Sequence, residues 1–140
     1  LWNKNLKELN DFQLAASDII TFHCYRMAPG LLSEIQAFKK HGRPLLCTEW
    51  LRRGHSEVFH FLPVFKKENV GCYNWGLVSG KTQTIWPWGN KEGAPEPKRW
   101  FHDLLRKDGT PHSPKEVKLF KELTNKNSQK KIKEKSSLAQ

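Results

Sequence analysis

Arg43-Pro-Leu-Leu-Cys-Thr-Glu-Trp50 decides how the chain is read. Leu45 to Thr48 has the length of a short strand, and an apolar run of this kind suits a parallel strand covered on both faces. It delivers a carboxylate, Glu49, at its C-terminal end, with Trp50 beside it. An acidic residue that closes an apolar run costs desolvation unless it has partners or a task. Parallel α/β sheets and barrels keep their active sites at that end of the strand. The plainer alternatives are a Glu that caps the next helix or pairs with Arg52 or Arg53.

Working outward, Ile19-Ile-Thr-Phe-His-Cys-Tyr25 and Val70-Gly-Cys-Tyr-Asn-Trp75 read as two more strands by their β-branched and aromatic content. His23, Glu49 and Trp75 are each 26 residues apart, a period that suits βα repeats with all three residues at one rim. Strict alternation places Thr21, His23 and Tyr25 on one face, with Leu45, Cys47 and Glu49 sharing a face and Gly71, Tyr73 and Trp75 another such set. Helices are expected over Leu6 to Ala16 and, after a break at Pro29-Gly30, over Leu31 to Phe38 with Gly42 closing it. A third is expected to start at Leu62-Pro63 and end at Asn69, since Pro fits the first turn. Pro97 to Lys107 reads as helical, and Ser113-Pro-Lys-Glu116 as a capping box for a last helix. Gly76 to Pro97 is a long loop that Trp86-Pro-Trp88 marks as ordered.

Composition narrows the function classes. The net charge is +10 over 140 residues, and the stretch 125–140 alone holds five Lys and one Glu. The remaining charge is too diffuse for a nucleic-acid stripe, so no nucleic-acid partner is expected. Residues 125–140 read as a disordered Lys-rich tail after a domain over 1–124. No run reads as a membrane span, and none as a signal peptide. Eight Phe, six Trp and two Tyr are many for this length, and flat amphipathic rings serve carbohydrate sites as well as cores. Cys24, Cys47 and Cys72 are read as buried small hydrophobes, with Cys47 pointing away from the other two. Strands two apart lie about 9–10 Å from each other, too far for a Cys24–Cys72 bridge.

The three strand ends would gather a carboxylate, a phenol, an imidazole and indoles. A Tyr hydroxyl aims a carboxylate, a His orients hydroxyls, and an indole floors a pyranose ring. That constellation suits a glycosidase subsite. Phe22-His-Cys-Tyr25, Pro44-Leu-Leu-Cys-Thr-Glu-Trp50 and Tyr73-Asn-Trp-Gly-Leu-Val-Ser-Gly-Lys-Thr-Gln83, with Trp86-Pro-Trp88, Trp100-Phe-His-Asp103 and Asp108-Gly-Thr-Pro111, resemble the C-terminal part of a clan A glycoside hydrolase similar to the cellulase-like glycoside hydrolase family 5.

The resemblance implies the C-terminal portion, strands six to eight with flanking helices, of a (β/α)8 TIM barrel. It implies a retaining hydrolase of β-linked glycans (cellulase-, mannanase- or xylanase-like) with no cofactor and no metal. Glu49 corresponds to the nucleophile, His23 and Tyr25 to its neighbours on the sixth strand, and Trp75 to the platform under the sugar. Trp50, Trp86 and Trp88 are further substrate-binding candidates. A secreted or periplasmic location follows from the resemblance alone. The family's Asn-Glu acid/base pair has no counterpart here, and Glu92 and Glu96 are the only in-chain substitutes. A non-catalytic carbohydrate-binding descendant is the alternative, and oligomeric state is left open.

Overall fold

The computed structural model describes residues 5–125. It is a mixed α/β structure with four helices and one three-stranded parallel sheet. In chain order these are α1 (Lys7–Ala16), β1 (Ile20–His23), α2 (Ala28–Lys39), β2 (Leu45–Glu49), α3 (Val58–Glu68), β3 (Gly71–Cys72) and α4 (Pro114–Thr124). The strands lie in sequence order, β1-β2-β3, as consecutive βα units require. Almost all of the expected tail lies outside the described residues.

Most elements fall where the periodicity predicts them, and the departures have local causes. Pro29 and Gly30 do not break the chain; Pro29 occupies the first turn of α2, where its missing N–H costs nothing. Pro63 does not open α3 but sits inside it, on a solvent-facing position. Asn69, at φ 54°, closes α3 in the left-handed conformation that Asn tolerates. The expected helix over Pro97 to Lys107 is absent. Its backbone donors are spent on the long loop instead: Phe101 N on Ile85 O, His102 N on Thr84 O, and Leu104 N on Leu77 O. The third strand shrinks to Gly71–Cys72.

The sheet has one covered face. Ile20, Phe22, Cys24, Leu45 and Cys47 are buried against Leu31, Ile35 and Phe38 of α2 and Val58, Phe61, Leu62 and Phe65 of α3. The other face carries Thr21, His23, Gly71 and Tyr73, all exposed. Burial of the helix-side set drives the fold, at roughly 1.5–3 kcal/mol for each large apolar side chain.

One buried ion pair locks the C-terminal helix to the loop after β2. Arg53 grips Glu116 through both carboxylate oxygens, Nε to Oε1 at 3.0 Å and Nη2 to Oε2 at 2.6 Å. Its third contact, Nη1 to Trp100 O at 3.1 Å, ties in the 100–105 segment. Half of the expected capping box therefore forms: Ser113 Oγ accepts from Glu116 N, but the Glu116 side chain serves Arg53.

Candidate functional site

The pairing of β1 with β2 matches Ile20 to Leu45, Thr21 to Leu46 and Phe22 to Cys47, then skips a residue and matches His23 to Glu49. Thr48 is the extra residue of a bulge. Strict alternation would have placed Glu49 with Leu45 and Cys47 beneath the helices, where a carboxylate is costly. The bulge returns it to the open face beside His23. The expectation that Leu45 and Cys47 share a face with Glu49 is thereby corrected. So is the placing of Cys47 apart from its fellow thiols: Cys47 is in register with Cys72 on the helix side, and burial pushes all three thiols up, Cys72 to about 11.

The same bulge corrects the role of Trp50. One residue beyond Glu49, it points to the helix side and is fully buried. It stacks on Phe61 at 5.6 Å and meets Phe65 edge-on at 5.5 Å. Trp50 is a core residue and not a substrate platform.

Glu49 has two partners, and both reach one oxygen. Tyr25 donates its hydroxyl to Oε2 at 3.0 Å, and His23 Nδ1 lies 3.2 Å from the same atom. Among the described residues Oε1 has no hydrogen-bond partner. The alternative pairing with Arg52 or Arg53 is not formed: Arg53 is held by Glu116, and the Arg52 guanidinium lies over the rings of Trp88 and Phe101 at 5.3 and 5.9 Å. Burial, followed by the bond to Glu49, pushes the Tyr25 phenol far above its ordinary value. Tyr25 is therefore a donor throughout the working pH range.

The long loop folds back onto this rim. Gly76, at φ 82°, starts it; a Cβ there would collide with Asp103 Oδ1, so only glycine fits. Thr84 Oγ1 sits 2.8 and 2.9 Å from the two oxygens of buried Asp103. Trp86 Nε1 donates to Ala94 O and Pro95 O at 3.2 and 3.1 Å. These ties carry Trp88 across to Tyr25, whose ring it meets edge-on at 5.0 Å. Trp75, Trp86, Trp88, Asn90, Glu92 and His102 line one cleft of about 710 Å³. Of the in-chain acid candidates, Glu92 lines this cleft, whereas Glu96 accepts from Trp100 Nε1 at 2.9 Å.

The structure thus joins His23, Tyr25, Glu49 and Trp88 in one contact chain and places Trp75 and Trp86 on the adjoining cleft. Two residues escaped the sequence reading. His102 is buried where the cleft meets Tyr25, at 6.0 Å between ring centres; its only signal was its place within Trp100-Phe-His-Asp103. Arg52 on Trp88 gave none. Among the described residues no helix is long and apolar enough to cross a membrane. Comparison of the chain with protein-family models, with curated proteins and with solved structures finds no match.

Proposed function

We propose that the chain supplies strands six to eight of a (β/α)8 barrel and the nucleophile half of a retaining β-glycan hydrolase. The reading is carried by Glu49: a carboxylate at the end of a parallel strand, turned to the open rim by a bulge, with Tyr25 and His23 on one oxygen. Such an arrangement leaves Oε1 to attack the anomeric carbon of a sugar while the phenol and imidazole fix the carboxylate's orientation. Trp75, Trp86 and Trp88 offer flat rings for the glycan on the neighbouring cleft. The acid/base carboxylate, about 5–5.5 Å from the nucleophile in retaining enzymes, comes in this reading from outside the chain.

The test bypasses that acid. A 2-fluoro glycoside with a dinitrophenolate leaving group needs no proton donor. Glu49 Oε1 forms an ester to the anomeric carbon as the carbon–oxygen bond to the aryl group breaks, and the phenolate departs as an anion. Gluco-, manno- and xylo-configured reagents are offered to the intact protein, meaning these residues together with the remaining strands of the barrel. One should add a single fluoroglycosyl mass to the peptide containing Glu49, and Glu49→Gln should abolish it. No adduct from any of them would sink the catalytic reading. Glycan binding without an adduct would favour a carbohydrate-binding surface.

A further inference from the structure

His102 holds an unspent hydrogen-bond acceptor against the cleft. Its side chain is 1 % exposed, and Nδ1 is bonded to the backbone oxygen of Leu51. A carbonyl can only accept, so the proton resides on Nδ1 and the lone pair on Nε2. That Nε2 is buried with no partner among the described residues. A buried acceptor left without a donor is costly, because its desolvation goes uncompensated. The fold has nonetheless placed the ring that carries it on the lining of the aromatic cleft, in contact with Tyr25, which bonds Glu49.

We propose that Nε2 of His102 accepts a hydrogen bond from a hydroxyl of the bound glycan in the subsite adjoining Glu49; the ligand class rests on the glycoside reading above. Its surroundings favour an acceptor of fixed tautomer. Phe101 and Trp88 pack against the imidazole at 4.6 and 5.6 Å, and the Leu51 carbonyl prevents a ring flip. Burial also keeps the ring neutral by lowering its pKa, even with the charges of Asp103 and Glu49 acting in the opposite sense. A neutral imidazole with Nδ1 protonated presents only a lone pair to the cleft, which selects a donor such as a sugar hydroxyl over an acceptor such as a carboxylate. Nε2 itself is covered by the packed rings, so a hydroxyl reaches it only as one of them shifts; Trp88, 57 % exposed and packed on the imidazole, is the ring we assign to that shift. Platform and acceptor would thus engage the same sugar.

The experiment titrates the intact protein, carrying ¹⁵N-labelled histidine, with cellohexaose, mannohexaose and xylohexaose. The resonance of His102 Nε2 should move upfield on saturation with a glycan that binds, while Nδ1 stays in place. His102→Asn keeps an amide donor near the Leu51 carbonyl and deletes Nε2; it should lower affinity roughly tenfold. His102→Gln, which restores a polar group near the Nε2 position, should recover part of that loss. Binding with an unmoved Nε2 resonance overturns the proposal, as does an Asn variant that binds like the parent, or no binding by all three glycans. If the Asn variant does not fold, the parent's resonance decides alone. Labelling of Glu49 with an unmoved Nε2 would sink only the His102 assignment. A shifted Nε2 without labelling would sink only the catalytic reading.

Discussion

The hydroxyl of Tyr25 donates across the gap between β1 and β2 to Oε2 of Glu49, 3.0 Å away. Tyr25→Phe keeps the ring against Trp88 and His102 and removes only this donor. A hydrogen bond to a charged group contributes roughly 1.5–3 kcal/mol. On the proposed mechanism kcat/KM should therefore fall by roughly 10- to 100-fold in the intact protein, with the melting temperature little changed. Activity within a factor of two of the parent would remove the hydroxyl from the mechanism.

Trp50 and Trp75 should separate cleanly. Trp50 is packed between Phe61 and Phe65, so Trp50→Ala should destabilise the fold by about 3–5 kcal/mol. Trp75 is 45 % exposed on the cleft, so Trp75→Ala should spare the fold and cost about 2–4 kcal/mol of transition-state binding. Denaturant melts and glycan kinetics on both variants of the intact protein decide it. A Trp75→Ala protein that loses its near-ultraviolet circular dichroism would place Trp75 in the core instead.

Glu116 carries a third prediction. Its carboxylate and the Arg53 guanidinium are both almost fully buried, and removal of one partner strands the other charge. Glu116→Ala should cost about 3–5 kcal/mol of stability, whereas replacing both partners with apolar residues of similar volume should cost much less. An additive double-mutant cycle would show that the two side chains are not coupled.

What the sequence made legible follows from what each signal depends on. Helix faces and strand identities rest on apolar periodicity, and α1 and α4 appear close to their expected bounds, whereas α2 takes in the expected break at Pro29-Gly30 and starts at Ala28. The carboxylate, phenol and imidazole of the rim were legible because residues ending successive βα units share one edge. The bulge at Thr48 was not, since nothing in Leu-Leu-Cys-Thr-Glu separates a regular strand from one with an inserted residue. Trp50 was misplaced for that reason. The segment 97–107 was misread because its helical look reflects Trp100, His102, Asp103 and Leu104, which are buried by contacts with a distant loop. Local propensity yields where tertiary hydrogen bonds claim the backbone.

Two histidines set a pH dependence. Burial lowers both His102 and His112 below the ordinary value of 6.5. As the pH falls past about 6.5 the unfolded chain takes up these protons while the folded chain does not, so the unfolded state binds more. Their contribution to stability is complete above that value and is lost as the pH drops towards the folded-state values. Arg53, Asp103 and Glu49 act on His102; Arg53, Arg106, Glu116 and Glu96 act on His112. The melting temperature should fall between about pH 7.5 and about pH 5.5, above the range where carboxylates titrate, and His102→Asn should flatten the slope. A melting temperature that rises on acidification in that window would reverse the sign argued here.

The last prediction concerns the uncovered side of the sheet. Thr21, His23, Gly71 and Tyr73 face outward from a sheet whose other face is packed with Phe22, Cys47 and their neighbours. β1 and β3 are edge strands among the described residues, and Tyr73 and Ile19 are 65 % and 52 % exposed. A barrel interior is filled by side chains from strands around the whole circle, and open edges invite pairing with other chains. Residues 1–140 produced alone should therefore bind a hydrophobic dye, self-associate in light scattering and show no cooperative melt. They should also hydrolyse no β-glucan, mannan or xylan, since retention needs a second carboxylate. A partner carrying the remaining strands should suppress the dye signal and restore turnover. A dye-silent monomer that melts cooperatively and cleaves any of these glycans would overturn the barrel-portion reading and the external acid together.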